Sequence, residues 1–196
     1  MILPRDFYER NTVAVAQDLL GCCLVHQEGE LTTAGMIVET EAYLSGDPAA
    51  HSFRGKTKRN AVLFGPVGHA YVYLIYGMYY CINVVTGEEG SGEAVLIRAL
   101  DPALGIPVMK RRRGVEDIRQ LCSGPGKLTR AMGITRECNG ASFMGEYFRI
   151  RSRDSAPGAV PVRKEDIART TRVGIVKAAE EPLRFYLKGN PGISRK

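Results

Sequence analysis

The chain of 196 residues lacks several features that would point to particular protein classes. It has no tryptophan, and no apolar run approaches the roughly 20 residues that cross a membrane. Its first residues lack the apolar segment of a secretory signal. The five cysteines include no Cys-x-x-Cys pair, which argues against a zinc ribbon or a disulfide framework. The three histidines have no ligand spacing, so we expect neither a metal nor a cofactor.

The absence of a disulfide framework indicates a reducing compartment. We therefore expect a cytoplasmic protein, associated with the nucleoid if its source is bacterial. The length predicts one domain spanning residues 1–196, and 44% hydrophobic with 24% charged residues is ordinary for a globular protein. A formal net charge of +6 favours polyanionic partners such as DNA or RNA. Charge alone does not decide this, because many basic proteins bind no nucleic acid.

Short elements of both kinds follow one another along the chain. Helices are predicted at 13–20 (after a cap at Asn11 or Thr12), at 107–120 with a break near Gly114, and at 127–132. Besides a tyrosine-rich pair, strands are predicted at 22–26, 35–43, 93–100 (ended by Asp101-Pro102), 147–151 and 184–188, with a hairpin-type turn at Asn139-Gly140. We expect an α+β fold: one curved, mostly antiparallel sheet resembling an open barrel or roll, peripheral short helices and a protruding β-hairpin.

The protruding hairpin is predicted from the tyrosines. Five of the nine tyrosines lie within residues 71–80. Apolar and aromatic residues alternate along 70–75, the parity breaks at 76–78, and a second β-prone run covers 79–85. Tyrosine offers a flat face that can stack on a nucleobase and a polar edge. The alternative is a strand pair whose rings only pack against one another.

A second cluster of interest lies on the strand at 35–43. Glu39 and Glu41 are two residues apart, so both carboxylates of a strand point to the same side, and Tyr43 continues that face. His51 follows in the next loop. A carboxylate beside flat rings is what excision of a base requires, because the rings stack on the base and the carboxylate activates water. The alternatives are a solvated strand face and a structural loop histidine.

Six segments around these residues are shared, in order and at similar spacing, with one family of enzymes. They are Ile37-Val38-Glu39-Thr40-Glu41-Ala42-Tyr43, Ala49-Ala50-His51-Ser52, residues 71–79, Leu96-Ile97-Arg98-Ala99-Leu100, residues 121–128 and Pro182-Leu183-Arg184-Phe185-Tyr186. In these segments the chain closely resembles the alkyladenine (3-methyladenine) DNA glycosylase family of the methylpurine type. The match covers roughly residues 35–190.

The resemblance implies a role for each matching residue near the reaction. Glu41 corresponds to the general base that deprotonates the attacking water. Arg98 corresponds to an arginine that holds that water or a neighbouring phosphate; the alternative is an ordinary strand-end arginine.

The resemblance also implies a base-binding pocket made of Tyr43, Ala50, His51, Tyr73 and Asn83. Tyr43 and His51 correspond to rings that sandwich the extruded base, and Tyr73 to a third wall. Asn83 corresponds to an asparagine that clashes with the exocyclic amine of normal guanine. The alternative for Asn83 is a strand-edge amide satisfied by backbone.

Contacts to the duplex are expected from the hairpin and from basic residues. Tyr76, at the hairpin tip, corresponds to the side chain that fills the gap left by the flipped nucleotide. The run Lys110–Arg113 could be a solvated helix face or a salt-sensitive phosphate contact. Residues 123–128 superficially resemble a nucleotide-binding loop but lack its first glycine and its Ser or Thr, so we expect a single phosphate there instead. The predicted phosphate contacts are Arg59, Lys110, Arg112, Ser123 and Lys127.

Together these expectations describe a monofunctional DNA glycosylase. It would hydrolyse the N-glycosidic bond of alkylated purines in duplex DNA and leave an abasic site for base excision repair. Whether deaminated and etheno purines are also substrates stays open. We expect no strand-cleaving Schiff-base chemistry, because the sequence has no recognisable lysine nucleophile for it. The expected partner is double-stranded DNA with damaged purines, bound by a monomer away from any membrane. Two alternatives stay open: a non-catalytic module that recognises distorted DNA, and a hydrolase of free nucleosides.

Overall fold

The computed structural model describes residues 1–153 and 161–194. The described helices are α1 (Arg5–Tyr8), α2 (Thr12–Asp18), α3 (Ile106–Arg113) and α4 (Pro125–Met132). The described strands are β1 (Cys23–Glu28), β2 (Leu31–Tyr43), β3 (Ala70–Ile75), β4 (Tyr79–Thr86), β5 (Glu93–Leu104), β6 (Phe148–Arg151), β7 (Ile167–Thr170) and β8 (Arg184–Leu187). None of the helices in these two ranges has the length and apolar character to cross a bilayer.

The strands form one curved antiparallel sheet with the order β3-β4-β5-β2-β1-β6, and β8 pairs with both β2 and β7. The expected α+β fold with an open-barrel sheet and short helices is therefore confirmed. β2 is the organising strand, because β1, β5 and β8 all pair with it. Register shifts between β2 and β5 around Ile37–Thr40 mark bulges, which bend a sheet and re-aim side chains.

Helix α2 anchors the core side of β2. The Asn11 side chain caps the helix by accepting the backbone N–H groups of Val13 and Ala14, as the sequence predicts. Val15 and Ala16 are fully buried, and the Ala16 carbonyl accepts the Thr40 hydroxyl at 2.8 Å. This face of β2 is thereby fixed in the core, which leaves its other face for the site.

Three local predictions were wrong. β5 does not end at Asp101-Pro102 but continues to Leu104. Pro102 is paired with Gly35 of β2 beside a register irregularity and lies beyond the part of β5 that also pairs with β4, which is where a strand tolerates proline. The predicted break near Gly114 is confirmed, because α3 stops at Arg113 and Gly114 adopts a left-handed φ of 67°. The predicted return to helix up to residue 120 is wrong, since only a short 3-10 turn at Ile118–Gln120 follows.

The third wrong prediction is the hairpin-type turn at Asn139-Gly140, since no hairpin forms there. It follows a 3-10 turn and docks on β3, the first strand of the sheet order. The Asn139 side chain accepts the Val72 N–H at 2.9 Å, and the Gly140 N–H donates to the Ala70 carbonyl at 2.7 Å. The segment therefore covers a strand edge that would otherwise expose unpaired backbone groups. Strand β7 was not anticipated either.

Candidate active site

A cavity of about 360 Å³ opens beside the β3–β4 hairpin. Its size is at the lower end of the range for small-molecule pockets. It is bounded by the two hairpin strands, by β5, and by loop residues that come from distant parts of the chain. The residues that line it are Tyr43, Ala49, His51, Leu63, Tyr71, Tyr73, Ile75, Tyr76, Cys81, Asn83, Ala94, Leu96, Arg98, Pro125, Val173, Gly174 and Ile175.

Three rings form one aromatic side of this cavity. His51 lies 4.3 Å from the centroid of Tyr73, and Tyr71 lies 5.3 Å from it. The Tyr71 hydroxyl and His51 Nδ1 are 3.0 Å apart. Reduced solvation lowers the pKa of His51, with help from the charge on Arg59, and burial raises the pKa of Tyr71 to about 12. Both rings are therefore uncharged near neutral pH and present faces on which a base can stack.

Glu41 stands directly behind the cavity wall. Its side chain is fully buried, and its three partners all line the cavity. Oε1 accepts the Val173 N–H at 2.8 Å and lies 3.2 Å from Nη1 of Arg98, and Oε2 accepts the Tyr43 hydroxyl at 2.9 Å. Burial raises the pKa of Glu41, and these three partners offset part of that rise. Oε2 has a lone pair to spare and can accept one further proton donor.

Arg98 joins the two carboxylates of β2. Its Nε donates to Oε1 of Glu39 at 3.0 Å, while its Nη1 faces Glu41. Both carboxylates are fully buried, so the alternative of a solvated strand face is wrong. The two-residue spacing therefore brings both carboxylates to one guanidinium, which also lines the cavity.

A buried ion pair supports the outer side of Tyr43. The Arg172 guanidinium lies 4.8 Å from the centre of the Tyr43 ring and forms a two-pronged ion pair with Asp47. It also donates to the Ala42 carbonyl at 3.2 Å. Since Tyr43 lines the cavity and Arg172 does not, the cation lies behind the ring. The pair fixes the ring and also the following residue, Val173, whose N–H contacts Glu41.

The remaining predicted pocket residues differ in their placement. Asn83 lines the cavity and its Nδ2 donates to the Tyr71 carbonyl at 3.1 Å, so it is both a wall residue and an amide satisfied by backbone. Ala50 is buried but is not among the lining residues; its neighbour Ala49 is. The roles implied for both residues stay predictions.

Tyr76 occupies the hairpin tip. Its side chain is 79% exposed, and its ring lies at the cavity mouth. The backbone there has a positive φ at Tyr76 (52°) and at Gly77 (71°), the signs of a type I′ turn. Positive φ is uncommon for a bulky residue, and such positions concentrate at functional sites.

The predicted phosphate contacts fall into two groups. Arg59 donates weakly to the Leu74 carbonyl beside the hairpin, and exposed Lys127 donates to the Ser123 hydroxyl at 3.2 Å where α4 begins. The other two already have acidic partners: Lys110 pairs with Glu116 at 2.9 Å, and Arg112 pairs with Glu28 at 2.7 Å. Arg59 and Lys127 are exposed and Ser123 is half-buried, and no acidic side chain pairs with these three among the described residues. All five contacts stay predictions.

Sequence reasoning missed a loop that contributes three residues to the cavity wall. Val173, Gly174 and Ile175 line it, and Val173 binds the carboxylate of Glu41, yet no motif or periodicity marks this segment. Tyr71 could have been found, because it shares strand parity with Tyr73.

Over residues 1–153 and 161–194, no three His, Cys, Asp or Glu side chains are arranged to hold an ion. The five cysteines are buried free thiols; burial raises the pKa of Cys81, the one that lines the cavity, to about 11. Its thiol is therefore protonated at neutral pH.

Comparison with known proteins places this chain in a family. Residues 6–191 match the model of the methylpurine-DNA glycosylases. A protein of Methanoculleus marisnigri is 62% identical over the full length of both chains, and one of Carboxydothermus hydrogenoformans is 51% identical, again over both full lengths. One from Rhodopseudomonas palustris is 50% identical over 98% of this chain and 90% of its own. The names of all three assign them provisionally to the 3-methyladenine DNA glycosylases. The chain therefore belongs to the methylpurine-DNA glycosylase family.

Proposed function

We propose that this protein is a monofunctional DNA glycosylase that flips alkylated purines out of duplex DNA and hydrolyses their N-glycosidic bond. The observation that carries the proposal is the buried carboxylate of Glu41, which is held by three cavity-lining groups beside a cluster of flat rings. The family match supports the glycosylase activity. The base-flipping step, the lesion range and the residue roles are part of the proposal.

Glu41 acts as the general base. The attacking water donates to Oε2, the oxygen with acceptor capacity to spare, and gives up its proton as its oxygen bonds to the anomeric carbon. The glycosidic electron pair leaves with the purine. Arg98 keeps Glu41 ionised by placing a positive charge 3.2 Å from Oε1.

Alkylated purines suit this arrangement. Alkylation at a ring nitrogen makes the base cationic, so it leaves without needing a proton and is attracted to the electron-rich faces of Tyr43 and Tyr73. A deaminated or etheno purine is neutral and needs a general acid. Tyr43, Tyr71 and Tyr73 line the cavity with phenols whose pKa values burial raises, which makes them poor proton donors. We therefore propose cationic purines as the preferred substrates.

Tyr76 lowers the cost of flipping. Extrusion of a nucleotide costs a few kcal/mol, and stacking on an aromatic ring returns about 1–3 kcal/mol. The ring is exposed at the tip of the hairpin and adjoins the cavity mouth, so a wedge there and a base in the cavity can be held at the same time.

The test is a panel of duplex oligonucleotides that each carry one damaged purine, incubated with the protein and then cleaved at abasic sites with alkali. Glu41→Gln should bind the lesion duplex as the wild type does but lose at least about a hundredfold in the single-turnover rate, since general bases contribute about 10²–10⁴-fold. Glu93→Gln is the matched control, because Glu93 binds Thr12 and the Ser45 N–H outside the cavity.

Other outcomes separate the alternatives. Binding of lesion DNA without release of any base by the wild type would favour a non-catalytic DNA-binding module. Release of base from a free methylated nucleoside at the same rate as from DNA would indicate a nucleoside hydrolase. Unchanged excision in Glu41→Gln would remove this residue from the role of base.

A further inference from the structure

A second buried carboxylate, that of Glu39, lies behind the proposed catalytic pair Glu41 and Arg98. All of its partners among the described residues are hydrogen-bond donors. Oε1 of Glu39 accepts Nε of Arg98 at 3.0 Å, Nε of Arg184 at 2.7 Å and the Ser194 hydroxyl at 2.8 Å. Oε2 accepts the Ser194 N–H at 2.6 Å. Glu39 therefore acts only as an acceptor, as a carboxylate does, in a place without solvent contact.

Arg98 is held on three sides by this arrangement. Its Nε donates to Glu39, its Nη1 faces Glu41 at 3.2 Å, and its Nη2 donates to the Ser194 hydroxyl at 3.1 Å. A guanidinium is a rigid planar fork, so fixing three of its nitrogens sets both its position and its tilt. Glu41 alone would leave the plane free to turn.

The charges around Glu41 show how Glu39 reaches the chemistry. The groups that act on Glu41 are Arg98, the Tyr43 hydroxyl, the Val173 N–H and the charge on Glu39. The last of these raises the pKa of Glu41, whereas Arg98 lowers it. Arg184 on β8 faces Glu39, and the Cys81 thiol is a further titratable group that interacts with Glu41. Glu39 therefore repels Glu41 directly and also competes with it for Arg98.

We propose that Glu39 and Ser194 are positioning residues that act through Arg98: they fix the guanidinium against Glu41 and set the pH at which Glu41 becomes a base. This inference rests on the proposed roles of Glu41 and Arg98. Neither Glu39 nor Ser194 lines the cavity, so neither needs to touch DNA.

The first test is the pH profile of single-turnover excision by Glu39→Gln. A glutamine keeps the shape and removes the charge. With its oxygen kept at the position of Oε1, where three donors converge, its NH2 group faces the Ser194 backbone N–H, and two donors then meet, which displaces that residue. We expect the rate on the plateau to fall about tenfold or more while lesion-DNA affinity changes less than about threefold. The acidic limb of the pH–rate profile should move to lower pH. Glu41 loses the repulsion of a neighbouring carboxylate, and Arg98 no longer divides its charge between two carboxylates.

Glu93→Gln is the control, because it removes a carboxylate that is bound by neutral groups outside the site. A folded Glu39→Gln protein with the wild-type rate and acidic midpoint would overturn the inference. So would equal losses of rate and affinity, which would indicate a purely structural residue.

Ser194→Ala provides a second test that does not depend on burying a new group, because Ser194 is only partly buried. It should lower the rate about threefold to tenfold in the wild-type background and less than about twofold when Arg98 is already lysine, because residues that act through one another are not additive. Equal effects in both backgrounds would show that Ser194 does not act through Arg98 and would overturn the inference.

A measurement without DNA separates this inference from the proposed function. In ¹H–¹⁵N spectra, the Nε–H of Arg98, assigned with Arg98→Lys, should exchange slowly with solvent because it donates to a buried carboxylate. Exchange should accelerate at least about tenfold in Glu39→Gln or Ser194→Ala. Unchanged exchange in both variants would overturn the inference even if excision slows. A wild-type protein that releases no base would reject the proposed function while this spectrum still decides whether Glu39 holds Arg98.

Discussion

Removing the carboxylate of Asp47 should be one of the most damaging single changes outside the cavity. The Arg172 side chain is fully buried and that of Asp47 is 6% exposed. After Asp47→Ala, the partners that the guanidinium keeps among residues 1–153 and 161–194 are neutral: the carbonyls of Ala42 and Ala178 and the ring of Tyr43. A buried charge that loses its counter-ion typically costs about 3–5 kcal/mol, so we expect the free energy of unfolding to fall by that amount.

Urea denaturation followed by circular dichroism measures the change. Glu9→Ala is the matched control, because Glu9 and Arg5 form an ion pair whose side chains are 42% and 52% exposed, so its loss should cost far less than the loss of Asp47. The double variant Asp47→Ala/Arg172→Met should recover at least about half of the lost stability, because a buried pair can often be replaced by apolar groups.

Two results would refute this reasoning. A cost below about 1 kcal/mol for Asp47→Ala would mean that the charge finds solvent or another partner. No recovery in the double variant would mean that the cost comes from lost packing rather than from an unpaired cation. The excision rate should fall with stability in the single variant, since Arg172 supports Tyr43 and leads directly into Val173.

Three further predictions concern the reaction and the duplex. Because burial raises the pKa of Glu41, the excision rate of a cationic lesion should fall as the pH drops through a value above the ordinary glutamate pKa. Glu41→Gln should abolish this pH dependence. A fall centred on the ordinary glutamate pKa would contradict the assignment of Glu41 as the base. Tyr76→Ala should reduce the flipped population about tenfold in stopped-flow fluorescence of a base analogue while Tyr76→Phe keeps it, and an unaltered equilibrium in the alanine variant would count against the wedge. Lys127→Ala should weaken binding to damaged and undamaged duplexes alike and reduce the slope of log K against log salt by about 1; an unchanged slope would remove Lys127 from the phosphate contacts.

Local patterns in the sequence predicted much of the sheet. Alternation of side chains predicted the tyrosine-rich pair β3 and β4, and the two candidate caps Asn11 and Thr12 predicted that a helix begins there, of which the structure uses Asn11. The spacing of Glu39 and Glu41 predicted carboxylates on one side of β2, since strand parity is a local property. These features depend on residues that are neighbours in the chain.

The parts that could not be predicted depend on residues far apart in the chain. The Val173 N–H that binds Glu41 comes from 132 positions away, and the Ser194 groups that bind Glu39 come from 155 positions away. Neither segment has a periodic pattern, and each is placed by the paths of other elements. The sequence did not predict that β5 continues through Pro102, and the reason is the same. Whether a strand tolerates a proline depends on which neighbouring strand is paired with it at that point.

The left-handed backbone at Tyr76 has a consequence for how this protein could be improved. An L-residue in that conformation costs about 1–2 kcal/mol, which asparagine or glycine would largely recover. Selection for thermal stability alone would therefore favour replacing the very ring that we assign to the duplex. At the tip of the hairpin, a substitution that raises thermal stability is therefore expected to lower repair activity, and both should be measured in any stabilised variant.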